Sequence, residues 1–348
     1  MKTFQKTILG LIIFCVCSLS TGLYACSRVV YHGLNGTILT ARSMDWVTDI
    51  KTNLWIFPRG MERNGQAGAN SLIWKSKYGS VVASAFECAS SDGMNEKGLA
   101  ANVLWLSESE YPKPDQSKPN LTIAAWVQYV LDNFATVDEA VTELSKEKFV
   151  IFTAKTPGRT GLATLHLSLC DPTGDNAVFE YLNGKLVIHH SPSYQVMTNS
   201  PTFEQQLTLD EYWKEIGGTT MLPGTSRAAD RFVRASFYIH AIPQTDDINI
   251  ALASVFSVIR NVSAPYGIST PDKPNISSTR WRTVADHKNL VYYFDSATSP
   301  NVFWVDFKNV DFSAQAPVKK LNLTGGEIYT GDAAKQFKET APFKFLGI

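Results

Sequence analysis

Residues 23–26, Leu-Tyr-Ala-Cys, constrain how the rest of this 348-residue chain can fold. Upstream lie Lys2 and Lys6, an apolar core from Ile8 to about Leu19, and a short polar exit from Ser20 to Gly22. About a dozen apolar residues are too few to span a bilayer, so 1–25 reads as a cleaved export signal and not as an anchor. Cleavage leaves Cys26 with both a thiol and a free α-amine. Downstream, Arg28-Val29-Val30-Tyr31 and Ile38-Leu39-Thr40-Ala41 flank the turn dipeptide Asn35-Gly36, a hairpin pattern. Cys26 therefore begins an edge or central strand, and the partner strand carries Arg42 back to within one strand spacing, about 5 Å.

Cys15 and Cys17 belong to the leader, which leaves Cys26, Cys88 and Cys170. An odd number in an oxidising compartment leaves at least one thiol free. Cys88 and Cys170 each sit in strand-like runs and read as buried apolar thiols, with a bridge between them left open. Removing the leader takes away two lysines and no acids, so 30 basic residues remain of the original 32, against 32 acidic ones. A near-neutral balance carries no footprint for nucleic acid and no polybasic membrane patch. The expected partner is a small molecule or a peptide-like compound.

Further strand patterns run over Leu54 to Phe57, Ser71 to Lys75 and Val81 to Glu87, then a turn written DGMNEKG, Asp92 to Gly98, feeds an apolar run to Leu106. Beyond Pro119 the texture turns helical, with apolar residues at Ile123, Trp126, Val127, Val130 and Leu131, and a capping-box signature at Thr136 and Glu139. Strands return over Leu162 to Leu169, Ala177 to Tyr181, Lys185 to His189 and Tyr194 to Thr198. Helices follow over about Phe203 to Lys214, Arg227 to Ala241 and Asp247 to Ile259. Strands at Arg280 to Asp286, Leu290 to Asp295 and Val302 to Phe307 and a polar tail close the chain. Strands and helices in blocks indicate an α+β fold and not a regular βαβ alternation.

The nucleophile is constrained by what is missing: no GxSxG elbow, no HExxH, no His/Cys spacing for a metal and no phosphate loop occur. No cofactor and no metal are expected. The pair His189-His190 reads as alternating faces of a strand end. An N-terminal cysteine needs no histidine, because its own α-amine, with an ordinary pKa of about 7.7–8.0, accepts the thiol proton near neutral pH. Asp45 is a candidate to orient that amine, and Arg42 to favour the thiolate. The bland reading of the two is a surface ion pair three residues apart. Trp46, Trp55, Phe57, Trp74, Tyr78 and Trp105 place aromatics on the sheet where they would line an apolar pocket; ordinary packing is the competing reading for Trp55 and Trp74.

Cys26-Ser27-Arg28, followed by Ala41-Arg42-Ser43-Met44-Asp45-Trp46, resembles the start of the choloylglycine hydrolase family of N-terminal nucleophile amidases, which includes penicillin V acylases and bile salt hydrolases. The likeness continues in order through DGMNEKGLA (Asp92 to Ala100), TNSPTF (Thr198 to Phe203), LPG (Leu222 to Gly224), DRFVRASF (Asp230 to Phe237) and STRWRTVADHKNLVYYF (Ser278 to Phe294). It implies an αββα sandwich, two antiparallel sheets between helical layers, formed by 26–348 as a single domain. It also implies Cys26 as nucleophile, Arg42 and Asp45 as supports, Asn199 as donor to the oxyanion, and Arg231 as a further charged member, with Arg234 one helical turn away as the competing assignment. Trp105 stands where bile salt hydrolases have Asn and penicillin V acylases often have Tyr; its backbone N–H would complete the oxyanion hole, and Trp46 and Trp105 are candidate substrate contacts. The leader points to the exported Gram-negative-type branch, periplasmic or secreted, and the family implies a homotetramer.

The expected activity is hydrolysis of the amide in N-acyl compounds, of the penicillin V acylase or N-acyl homoserine lactone acylase kind, with bile salt hydrolysis as the alternative. From another class, Leu23 at the third position before the cut suits a lipobox, which would make the chain a non-catalytic lipoprotein with lipidated Cys26. Lipidation would consume the thiol and tie the chain to a membrane.

Overall fold

The computed structural model describes residues 26–113, 117–158, 161–217, 220–269 and 277–348; the expected export signal, 1–25, lies outside the described residues. Two large sheets stack face to face. The first runs in the order Val196–Met197, β1 (Ser27–His32), β2 (Ile38–Trp46), Ser278–Asp286, Val291–Ser296, Val302–Asp306, Gly331–Asp332. The second runs Lys185–His190, Asn176–Leu182, Leu165–Cys170, Ala100–Trp105, Ala89–Asn95, Ser80–Ala85, Leu54–Phe57, Lys319–Leu321, Lys338–Glu339. All neighbours pair antiparallel except Val302–Asp306 with Gly331–Asp332.

Helices α1 (Trp126–Asn133) and α2 (Val137–Leu144) cover the second sheet. Helices α3 (Phe203–Ile216), α4 (Ala228–Ala241) and α5 (Ile248–Asn261) form the layer over the first, α4 and α5 lying on β1 and β2. The order is helices, sheet, sheet, helices, as the sequence patterns and the resemblance together predicted. One apolar cluster lies between the sheets and under α4 and α5; a second fills the space between the second sheet and α1 and α2. Trp126, Val127, Val130 and Leu131, three and four residues apart, are all buried on one face of α1; each large side chain so buried contributes on the order of 1.5–3 kcal/mol. At the start of α2 the Thr136 hydroxyl accepts from Glu139 N–H at 3.2 Å, while the Glu139 carboxylate accepts from Ala135 N–H at 2.8 Å. The cap is reciprocal, shifted by one residue on its return arm.

The Asn35-Gly36 hairpin forms as expected, with both residues at positive φ and β1 in register with β2, Arg28 opposite Arg42 and Ser27 opposite Ser43. Several expectations are corrected. Asp92 to Gly98 is not all turn: Asp92 to Asn95 continue the strand Ala89–Asn95, and only 96–98 reverse the chain. The segment 71–75 is a strand only over Ile73–Lys75. The polar tail is not a tail, because Lys319–Leu321 and Lys338–Glu339 extend the second sheet and Phe337 and Phe345 are buried. Cys88 and Cys170 are free thiols; Cys170 packs with Val30 and Ile38, well apart from Cys88 on its turn.

Candidate active site

Alternation along β2 sends Arg42, Met44 and Trp46 to one face and Ser43 and Asp45 to the other. The first set lines, with Cys26, an apolar cavity of about 100 Å³. The second set faces the helix side, where Ser43 Oγ accepts from Ser27 N–H at 3.1 Å. Register places Cys26 opposite Met44, and Cys26 Sγ lies 4.0 Å from Met44 Sδ. The Asp45 N–H points at the same sulfur, 3.4 Å away.

Arg42 and Asp45 are both buried, at 1 % and 0 % exposure, and do not pair with each other, which removes the surface ion-pair reading. Arg42 Nη2 donates to Val103 O at 2.9 Å and its guanidinium stacks over Trp281, 4.8 Å from the ring centre. Its counter-charge is Asp92, 3.9 Å away, which in turn accepts from Tyr292, Asn102 and Thr283. Asp45 accepts from the hydroxyls of Thr279 and Ser43, the latter at 3.3 Å. The strand carrying Thr279 has one extra residue here: Thr279 pairs with Asp45 and Trp281 with Met44, so Arg280 is bulged out and donates to Trp46 O and Val47 O.

Arg231, projecting from α4, ties the site together. Its Nη1 donates to Cys26 O at 2.7 Å and Ser27 Oγ at 2.5 Å, its Nη2 to Asn199 Oδ1 at 2.9 Å, and its Nε to Ser226 O at 3.0 Å. Arg234 turns away to Pro223 O and Thr225 O, so geometry selects Arg231 of the two. Because a guanidinium can only donate, it fixes the Asn199 amide with Oδ1 toward α4 and Nδ2 toward Trp105, whose carbonyl accepts at 2.8 Å. An amide nitrogen has two N–H groups, and a second remains for another acceptor. Behind Asn199, Gln206 donates to its carbonyl, and His166 Nε2 contacts Thr198 O at 2.8 Å.

Burial dominates the titration of the site. It pushes the Cys26 thiol above its ordinary value, and Arg42 and Arg231 offset only part of that. A base is needed to make the thiolate at neutral pH. Burial also raises Asp45 to about 6, against the pull of Arg231, Thr279 and Arg42. Arg231 is lowered by burial to about 10 and stays charged at neutral pH.

All five expected catalytic residues are thus gathered around Cys26: Cys26 and Arg42 line the cavity, while Asp45, Asn199 and Arg231 stand behind them. Trp46 and Trp105 line the cavity as well and meet edge to face, ring centres 5.7 Å apart. Trp55, Phe57 and Trp74 do not: they belong to the cluster on the α1 side of the second sheet, and Tyr78 stands beside Lys97. For Trp55 and Trp74 the packing reading is correct, and the expectation that Phe57 and Tyr78 line the pocket is corrected. Sequence reasoning did not single out Thr279, Asp92 or Met44. Asp92 and Thr279 sit within the blocks DGMNEKGLA and STRW, the only signal that would have pointed to them.

Two antiparallel sheets sandwiched between helical layers, with a buried cysteine leading into a strand of one sheet, define the N-terminal nucleophile hydrolase fold. The chain belongs to the choloylglycine hydrolase family of linear amide C–N hydrolases, whose family profile matches residues 26–320. It is a hydrolase of linear amides. A penicillin V acylase from Pectobacterium atrosepticum is 55 % identical over 372 aligned positions, covering 100 % of this chain and 99 % of that one. The solved structure of a penicillin V acylase from Agrobacterium tumefaciens is 62 % identical and superposes with a TM-score of 0.87, covering 93 % of this chain and 100 % of that one. A conjugated bile acid hydrolase from Clostridium perfringens shares the fold at 23 % identity and a TM-score of 0.73, covering 86 % of this chain and 97 % of that one.

Proposed function

We propose that the chain is exported, is cut before Cys26, and then acts as a penicillin V acylase-like amidase. The observation that carries this reading is Cys26 lining an apolar cavity at the point where Arg42, Asp45, Asn199 and Arg231 converge. The freed α-amine takes the thiol proton, and the thiolate attacks the acyl carbon. Negative charge gathers on the carbonyl oxygen, met by the second N–H of Asn199 and the backbone N–H of Trp105. The ammonium returns its proton to the amide nitrogen, the C–N bond breaks, and an acyl thioester remains on Cys26. Water, deprotonated by the same amine, hydrolyses the thioester and restores the thiol.

Asp45 holds the amine by a charge-assisted hydrogen bond, which requires its carboxylate to be ionised. Since burial places that ionisation at about 6, kcat/KM falls as pH drops through this value. A pH–rate profile checks the limb; activity unchanged from about pH 7 to 5 contradicts the role.

The acyl group occupies the cavity between Cys26 and the tryptophans. The identities to penicillin V acylases favour an aryloxyacetyl or fatty acyl group over a steroid acyl group. The test is amine release from a panel of penicillin V, N-acyl homoserine lactones, and glycine and taurine bile conjugates. Turnover of the first two well ahead of the bile conjugates is expected; the reverse order establishes the bile salt reading. A periplasmic or secreted homotetramer, free of the membrane, completes the proposal; the leader supports export, and the family resemblance supports the assembly.

A further inference from the structure

The cavity does not end near the catalytic residues. Cys26 belongs to the apolar cluster between the sheets, whereas Leu346, which also lines the cavity, packs against the cluster on the α1 side of the second sheet. The hollow therefore passes from one core toward the other, with the nucleophile and Leu346 on opposite sides of the second sheet. The segment carrying Leu346 is held by its backbone. Leu346 N–H donates to Cys88 O at 2.7 Å, Thr122 Oγ1 donates to Leu346 O at 2.5 Å, and Ile348 N–H donates to Gln66 O at 3.1 Å. Phe343 and Phe345 anchor it among Trp55, Phe57 and Arg63. Gly347 lies so close to Gln66 that an added Cβ would stand 2.1 Å from its carbonyl oxygen. This segment follows the last residue matched by the family profile, 320, so the wall it forms lies outside the profile's match.

We propose that Leu346 is the distal stop of the acyl cavity and sets the length of acyl chain the enzyme accepts. The inference rests on the proposed function, in which the acyl group fills this hollow. A half-buried leucine fixed by main-chain hydrogen bonds on both sides is a rigid apolar end wall. Chains that reach it gain contact with each added carbon, and longer chains collide. Discrimination by a single methylene in such a pocket is worth about tenfold or more in kcat/KM.

The test is a series of N-acyl homoserine lactones lengthened two carbons at a time, with amine release measured for the mature enzyme and its variants. Leu346→Ala moves the optimum toward longer chains, raising kcat/KM for the first chain beyond the wild-type optimum about tenfold relative to that optimum. Leu346→Trp moves it toward shorter chains. Gly347→Ala, which pushes the segment off Gln66, shifts the optimum in the same direction as Leu346→Ala. Phe303→Ala serves as control: it removes a buried ring of the first sheet that packs on Phe294 and Tyr329, away from the cavity and from the Leu346 segment, and lowers Tm while leaving the optimum in place. An unchanged chain-length profile in both Leu346 variants, with wild-type Tm, overturns the inference and leaves the proposed function intact. A wild-type enzyme that releases amine from no N-acyl compound overturns both.

Discussion

Cys26→Ser loses at least about a thousandfold in amide hydrolysis while retaining its fold, because an alcohol at the same place is a far weaker nucleophile near neutral pH. The sulfur is held by the Asp45 N–H at 3.4 Å and sits 4.0 Å from Met44 Sδ, neither of which requires sulfur chemistry for stability. The circular dichroism spectrum and Tm are therefore expected to stay near wild type, and only the amine-release assay changes. Full activity in this variant refutes the mechanism. Intact mass belongs to the same experiment: the exported protein is expected to begin at an unmodified Cys26, and a diacylglyceryl adduct on that residue would establish the lipoprotein reading instead.

Arg231→Lys is the second large effect. Arg231 spans Cys26 O, Ser27 Oγ and Asn199 Oδ1 with one rigid fork, at 2.7, 2.5 and 2.9 Å. An ammonium keeps the charge but has no fork, so it cannot hold the Cys26 carbonyl and the Asn199 amide together. With Asn199 as the proposed oxyanion donor, loosening it is expected to cost about a hundredfold to a thousandfold in kcat. Arg231→Leu adds a stability loss, on the order of 3–5 kcal/mol, since the charged network around Asp45 loses a buried member. Steady-state kinetics separates the two variants from thermal melts: Lys lowers kcat with a modest change in Tm, whereas Leu lowers both. A Lys variant with wild-type kcat removes Arg231 from the mechanism.

What the sequence disclosed and what it concealed divide along contact distance. The hairpin was legible because Asn35-Gly36 and two alternating runs are local signals, and with it came the pairing that brings Arg42 back to the start of β1. Helices α1 to α5 were legible from period and caps, Asp247 accepting from Asn249 and Ile250 at the start of α5 as an N-cap should. The partners of the site residues were not. Thr279 is 234 residues from Asp45, and Asp92 meets Arg42 only after the two sheets have stacked. No periodicity encodes such contacts. The last two strands of the second sheet, Lys319–Leu321 and Lys338–Glu339, were hidden for a different reason: they are too short and too rich in lysine to carry an alternating pattern. Phe57 was misplaced because an aromatic on a strand has two faces to choose from: in Leu54–Phe57 both Trp55 and Phe57 turn to the α1 side, and a shift of one residue would exchange the faces.

The extra residue beside Asp45 works as a phase shift. Counting back from Trp281 opposite Met44, an unbroken ladder would set Arg280 opposite Asp45; the bulge puts Thr279 there and turns Arg280 to the carbonyls of Trp46 and Val47. A guanidinium in that place would claim the carboxylate as a permanent partner. With a neutral hydroxyl there instead, the carboxylate keeps charge to spare for the α-amine that the proposed cleavage would create at Cys26. One residue out of step, in a strand whose Thr279 stands 234 positions further along the chain, thus leaves the acid beside Cys26 without a fixed guanidinium partner, as the proposed maturation requires.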